Sequence, residues 1–161
     1  MNIEYRLATP YVVICKWVTR EEIPNELPPL IGKVDSWLKQ KETEPAGPPF
    51  FEYRVMSAEK IHVCVGFPLR QAVEGDDTVH AGAFPEGEYA TSTHIGPYNG
   101  LLGANKMLNE WFQLLGYSQR FLENSDSVYS GSRTEFYSSD PKVETDPKKW
   151  RTDIAVWVKR N

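Results

Sequence analysis

Arg133-Thr134-Glu135-Phe136-Tyr137, together with an earlier stretch that looks like its copy, Phe50-Phe51-Glu52-Tyr53-Arg54, decides how this chain reads. Both stretches have the aromatic-rich alternation of a strand. With a side-chain period of two, Glu135 and Tyr137 share one face and Phe136 takes the other. Matching Tyr53 to Tyr137 sets Phe51 against Glu135, so one copy carries a ring where the other carries an acid. A carboxylate beside aromatic rings suits a cationic or polarised aromatic ligand, held by charge and ring-face attraction together. The plainer reading of the same residue is a solvated Glu on an open strand face.

Working outward from this pair, the chain divides into two similar halves. The first opens with the β-branched run Pro10-Tyr11-Val12-Val13-Ile14-Cys15-Lys16-Trp17-Val18. Pro28-Pro29 suits the first turn of a helix, and Leu30, Val34, Trp37 and Leu38 keep the spacing of one buried helical face, with Lys39 and Lys41 toward the negative end of its dipole. Pro45-Ala46-Gly47-Pro48-Pro49 breaks the chain, and strands are expected over 50–56 and 61–68. In the second half a strand is expected over 87–94, followed by a break at Gly96-Pro97. A helix then places Leu101, Ala104, Leu108, Trp111 and Leu115 on one face, with Gly116 as its cap. Strands over 131–138 and 151–159 follow, separated by the polar turn 138–149.

The two helices superpose at a constant offset: Leu30 on Ala104, Val34 on Leu108, Trp37 on Trp111 and Leu38 on Phe112. Strand–helix–strand–strand occurring twice in the same order predicts a structural duplication. The expectation is one α+β domain over 1–161, with a first repeat about 1–70 and a second about 78–160. The units would pair about a pseudo-twofold axis, giving antiparallel sheets with helices on one face and a ligand cleft between the halves. In the last strand Ile154, Val156 and Val158 alternate with Asp153, Ala155 and Trp157. The aliphatic set is expected to pack on the helices. Phe51, Tyr53, Glu135, Tyr137 and Trp157 are expected on the other face, lining the cleft.

Composition bounds the function. The 161 residues, 40% apolar and 25% charged, are ordinary for one globular domain with a real core. A net charge of −4 argues against nucleic acid as a direct partner, because phosphate binding wants a basic stripe. No run approaches the roughly 18 apolar residues of a membrane span. The opening MNIEYRLATP lacks the basic-then-apolar pattern of a secretory signal. Cys15 and Cys64 lie in apolar runs and read as buried reduced thiols rather than a disulfide. Together these features suggest the cytoplasm.

Other chemistry is thin. His62, His80 and His94 lack any short ligand spacing, so no metal site is expected. No cofactor is expected either: Gly100-Leu101-Leu102-Gly103 lacks the dinucleotide spacing, and Ser130-Gly131-Ser132 lacks the nucleophile-elbow pattern. His94 is expected to satisfy backbone groups at a turn, and Asp76-Asp77 to form a solvated linker between the halves. Trp37 and Trp111 read as core anchors, with Trp111 a cleft wall only if its ring reaches past the sheet edge.

The chain resembles the GyrI-like small-molecule-binding domain, which also forms the effector-binding part of some AraC-type and MerR-type multidrug regulators. The resemblance is carried by Gly47-Pro48-Pro49-Phe50-Phe51-Glu52-Tyr53-Arg54, Val65-Gly66-Phe67-Pro68-Leu69, Gly87-Glu88-Tyr89-Ala90, and His94-Ile95-Gly96-Pro97-Tyr98. It continues through Glu135-Phe136-Tyr137 with Asp140-Pro141, and Trp150-Arg151-Thr152-Asp153-Ile154. The motifs are loose singly and fairly specific in series. The resemblance implies a duplicated unit with a ligand cleft between halves, and an acid of this strand, Glu135, meeting cationic aromatic compounds. Trp157 stands where the resemblance leads one to expect a proline, which would narrow or reshape the cleft. No helix-turn-helix segment precedes the domain, so a DNA-binding regulator is not expected.

Three functions follow as expectations. The first is a small-molecule-binding or sequestering module with Glu135 supplying charge, Tyr137, Tyr53, Phe51 and Trp157 supplying walls, and Tyr98 and Trp111 beside them. The second, implied by the resemblance, is a hydrolase of cyclopropane-containing DNA-alkylating natural products. There Glu135 would activate water and Tyr137 would polarise the conjugated carbonyl. The third is an interaction module that inhibits a protein partner such as DNA gyrase.

Overall fold

Both halves join one continuous antiparallel sheet in a computed structural model of the chain, which describes residues 1–123, 129–130 and 133–161. The first half contains β1 (Asn2–Arg6), β2 (Thr9–Val18), a single turn α1 (Ile23–Glu26), α2 (Pro28–Gln40), β3 (Phe50–Met56) and β4 (Ile61–Pro68). After β5 (His80–Phe84), the second half runs through β6 (Gly87–Ile95), α3 (Leu101–Leu114), β7 (Tyr117–Gln119), β8 (Leu122–Glu123), β9 (Tyr129–Ser130), β10 (Arg133–Tyr137) and β11 (Arg151–Arg160). The strand order is β1-β6-β11-β10-β3-β4-β2-β5, with β7 added on β11 and β8–β9 paired separately. The order is palindromic: β2-β4-β3 mirrors β6-β11-β10, and each half carries one extra strand at its outer edge. The duplicated strand–helix–strand–strand unit is therefore present. Of the expected strand 131–138, residues 133–137 are a strand, while 131 and 132, and with them most of Ser130-Gly131-Ser132, lie outside the described residues.

The halves meet where β3 pairs with β10, in the register Arg133↔Tyr53, Thr134↔Glu52, Glu135↔Phe51 and Phe136↔Phe50. A twofold axis between antiparallel strands pairs a residue with its own equivalent. Phe51 and Glu135, equivalents in the two copies, are such a pair and therefore flank the axis.

Register also fixes the faces. Ile14, Val65, Phe51, Glu135 and Ile154 are successive cross-strand neighbours and share one face. On that face α2 buries Leu30, Val34, Trp37 and Leu38, and α3 buries Leu101, Leu108 and Phe112 against Ile154, Val156 and Val158. Each such aliphatic or aromatic side chain contributes about 1.5–3 kcal/mol by leaving water. The expected placement of Phe51, Tyr53, Glu135, Tyr137 and Trp157 on the face away from the helices is thus wrong for four of them. Phe51, Tyr53, Glu135 and Tyr137 lie on the helical face, because Glu135 stands opposite Ile154. Trp157, an odd number of residues from Ile154, lies on the other. Leu115 also departs from expectation: α3 ends at Leu114, Gly116 turns the chain with φ +84°, and Leu115 is exposed.

The face away from the helices has small cores of its own. Tyr11, Val13, Phe50 and Phe84 form one, and Tyr89, Ala155 and Trp157 another, with Phe136 packed against both. Glu52 is fully buried there, its Oε1 accepting from Arg54 Nε at 2.6 Å. Cys15 and Cys64 also lie on this face and are joined by a disulfide, which corrects the expectation of reduced thiols. The two are 49 residues apart and meet only because β2 pairs with β4 with Cys15 opposite Cys64. Trp37 is a core anchor as expected, but its Nε1 also donates to Asp76 Oδ2 at 2.8 Å, so the linker between halves is tied to α2. Among the described residues no helix is long and apolar enough to cross a membrane.

Candidate functional site

Glu135 is 4% exposed, which excludes the solvated-face reading. A buried carboxylate needs donors for its lone pairs, and three side chains supply them. Tyr53 and Tyr137 each donate a hydroxyl hydrogen bond to Oε1 at 2.8 Å. Asn105 Nδ2 donates to Oε2 at 2.9 Å and also to the Leu101 carbonyl one helical turn back, also at 2.9 Å. Behind Asn105 stands Arg133, two residues from Glu135 on the same strand face. Its Nη1 donates to Asn105 Oδ1 at 2.7 Å, and its Nη2 donates to Asn109 Oδ1 and to Gln119 Oε1. Strands from both halves and helix α3 thus converge on one acid.

The electrostatics follow from burial and from that charge. Burial first, and then the Glu135 charge, hold the Tyr53 hydroxyl well above its ordinary range, and burial does the same to Tyr137 with Tyr53 and Glu135 adding to it. Both phenols are therefore donors at neutral pH. Burial, partly offset by the Glu135 charge, pushes the Arg133 guanidinium down to about 10. It stays cationic at neutral pH and reaches the carboxylate only through the Asn105 amide.

Rings close the surroundings. Phe51 meets Tyr137 edge-on with centroids 4.8 Å apart, and Tyr98 meets Tyr137 at 5.7 Å. Tyr98, 39% exposed, is the outermost of these and stacks on Trp150 at 4.7 Å. Of the residues expected at the site, Glu135, Tyr137, Tyr53, Phe51 and Tyr98 are brought together. Trp111 is half-buried and packs against the core around Leu108 and Phe112. Trp157 is on the opposite face, with Arg120 over its ring at 4.0 Å and its Nε1 donating to the Glu86 carbonyl. Asn105, Arg133 and Trp150 were missed as site residues. Asn105 had a signal: a polar residue one turn after Leu101 on an otherwise apolar helix face. As expected, His94 serves a turn, donating from Nε2 to the Pro97 carbonyl at 2.9 Å.

A cavity of about 660 Å³ lies on the opposite face, lined by Thr91, Thr93, Phe136, Ser138 and Asp153, and a smaller one of about 170 Å³ lies beside Phe84, Tyr89 and Thr134. Neither includes Glu135.

A family model, GyrI-like small molecule binding domain, matches residues 2–159. The chain belongs to the GyrI-like small-molecule-binding domain family. No curated protein matches the sequence. The fold of this GyrI-like chain is similar to that of the EcmrR C-terminal domain, at 16% identity and a TM-score of 0.69, covering 99% of this chain and 97% of that one. In the EcmrR–DNA complex the match has a TM-score of 0.72 at 15% identity and spans 99% of this chain but 57% of the EcmrR chain. A hydrolase encoded by lin2189 from Listeria innocua is similar at 14% identity and a TM-score of 0.60, over 98% of this chain and 91% of that one. SAV2435, solved bound to tetraphenylphosphonium, is similar at 9% identity and a TM-score of 0.61, over 98% and 93%. At these identities the likeness concerns the fold.

Proposed function

We propose that this GyrI-like domain binds cationic or polarised aromatic compounds between its halves, with Glu135 as the charged contact and Phe51, Tyr53, Tyr98, Tyr137 and Trp150 as the ring contacts. The observation that carries this reading is a buried carboxylate that, among the described residues, has no charged group in direct contact and is held by two phenols and an amide. Neutral donors can be exchanged for a ligand's positive charge, and the exchange strengthens the field at the acid in a water-poor environment. Tyr98 is the outer ring and moves first; rotation of Tyr137 then opens Glu135 to the ligand. The rings offer their faces to the cation, each worth about 0.5–2 kcal/mol. A relative of the same fold that holds tetraphenylphosphonium names a suitable probe class. Intrinsic tryptophan fluorescence, titrated with a panel of cationic aromatic dyes, tests the reading. Saturable quenching that disappears in Glu135→Ala supports it; no quenching by any dye overturns it.

A second reading is favoured by the two phenols that meet one carboxylate oxygen. The domain would then hydrolyse activated cyclopropanes. Glu135 takes a proton from water as the water oxygen bonds to a ring carbon. The strained carbon–carbon bond breaks, its electron pair moves into the conjugated carbonyl as an enolate that a tyrosine hydroxyl stabilises, and the enolate carbon is then protonated. Turnover of such a substrate, abolished in Glu135→Gln and slowed in Tyr137→Phe, would distinguish this reading from binding alone.

A further inference from the structure

On the face of the sheet opposite Glu135, β2 and β4 carry a second cluster with chemistry of its own. Cys15 stands opposite Cys64 and Trp17 opposite His62, so the four side chains occupy adjacent positions on one face. Both sulfurs and a ring nitrogen of His62 lie within 4.8 Å of one another. Nδ1 of His62 is buried and has no hydrogen-bond partner among the described residues, an arrangement that native proteins avoid unless the atom has another use. The Trp17 indole stacks on the imidazole at 4.7 Å and nearly parallel, fixing the ring's plane. The Arg54 guanidinium lies near enough to act on the imidazole by its charge. Arg54 is itself paired with Glu52 at 2.6 Å, so the guanidinium does not leave an unbalanced positive charge beside the cluster. Cys15 is partly exposed, which gives a reductant and an ion a path to the sulfurs.

Two thiolates and one imidazole are the three-protein-ligand set of a tetrahedral zinc site that keeps one position open. We infer that the reduced protein binds one Zn²⁺ through Cys15 Sγ, Cys64 Sγ and His62, and that metal binding and the Cys15–Cys64 disulfide exclude each other. A small-molecule dithiol reduces the protein disulfide to two thiols and is itself oxidised to a disulfide. Zn²⁺ then replaces the two thiol protons, which leave to solvent. Reoxidation of the thiols by a disulfide oxidant expels the ion. The sulfurs hold the metal only as thiolates, so the redox state of this pair gates the site.

Cobalt is the probe, because thiolate-to-cobalt charge transfer and the intense visible bands of a tetrahedral ion report the ligands directly. The full chain, reduced and freed of reductant without oxygen, is titrated with Co²⁺ and then with Zn²⁺ in competition. One equivalent of Co²⁺ should give both spectral features in the reduced chain and neither in the oxidised chain, and Zn²⁺ should displace it. His62→Asn should lower the Co²⁺ affinity about tenfold or more, and Cys15→Ser should abolish the charge-transfer band. Far-ultraviolet circular dichroism establishes that each variant is folded, and the comparison of oxidised with reduced wild type needs no substitution at all. Absence of the charge-transfer band in the reduced wild type overturns the proposal, as does a His62→Asn affinity equal to that of the wild type.

Discussion

Glu135→Gln keeps the shape of the site and removes one charge, so its effect on a cation can be worked from the geometry. The Glu135 oxygens are each covered at 2.8–2.9 Å by a donor that a ligand would displace. The phenyl shell of tetraphenylphosphonium holds its charge about 5 Å from a carboxylate oxygen; at that distance and an effective dielectric of about 20, the attraction is ~3.3 kcal/mol, or roughly 250-fold in Kd. Arg133, cationic at neutral pH, repels the ligand in wild type and variant alike, so its charge cancels from the ratio. A neutral ligand of similar shape, triphenylphosphine oxide, lacks the Coulomb contribution and should change by less than about threefold. Isothermal titration at neutral pH with both ligands reads the difference, and a urea unfolding curve establishes that the variant is folded. An exposure of only 4% makes the interaction weakly sensitive to salt, so the ratio should hold at moderate ionic strength. A loss below about tenfold for the cation, or an equal loss for the neutral ligand, would refute the assignment of Glu135 as the charged contact.

Four further outcomes are expected. Tyr53→Phe and Tyr137→Phe should each destabilise the fold by about 1.5 kcal/mol, the low end for a hydrogen bond to a charged group, because the other phenol still serves the same oxygen. The double variant should cost more than the sum of the two, read as a positive coupling in urea unfolding. Tyr98→Ala removes the outer ring and its edge contact with Tyr137, which should speed association of a cationic dye in stopped-flow mixing while weakening its equilibrium binding by about 0.5–1.5 kcal/mol. Leu38→Ala, at a fully buried position on the inner face of α2, should destabilise by about 2–5 kcal/mol without changing the dye affinity of the folded protein. Asp76 accepts from the Trp37 indole and from the Val79 and Thr78 amides, which lower its pKa to about 2. A carboxyl depressed in the folded state contributes stability above its unfolded pKa and loses it as pH falls. Asp76→Asn should therefore flatten the decline of the urea midpoint between about pH 4 and pH 2.

The repeat was legible because the helix faces and the aromatic strands recur in the same order, and pattern of that kind is local to each segment. Ile154, Val156 and Val158 were rightly assigned to the helices on parity alone. What parity within one strand cannot give is its relation to the next strand. The turn between β10 and β11 is long enough to permit either register, and a slip of one residue exchanges the faces of a whole strand. The observed register, Glu135 opposite Ile154, put Glu135 beneath the helices and left Trp157 behind the sheet. The same limit hid the disulfide, since Cys15 and Cys64 come together only through the β2–β4 pairing. Arg133 stood in the quoted stretch itself, yet its role depends on Asn105 and Asn109, which reach it from a helix distant in sequence.

Why the acid sits at this position, and not elsewhere on the strand, follows from the duplication. Tyr53 and Tyr137 are equivalents in the two copies, and residues related by a twofold axis lie at equal distances from a group on that axis. The structure has this equality: both hydroxyls are 2.8 Å from the same oxygen of Glu135. In a symmetric ancestor the axis pair would carry the same residue twice, and two carboxylates there would repel while two rings would leave both hydroxyls without a partner. One acid opposite one ring, Glu135 opposite Phe51, satisfies both phenols with a single charge. An acid placed two residues along either strand would meet the phenol of one half only. The axis is therefore the one place where a single change of residue recruits both repeats, and the asymmetry of Phe51 and Glu135 gives two similar halves one shared charged centre.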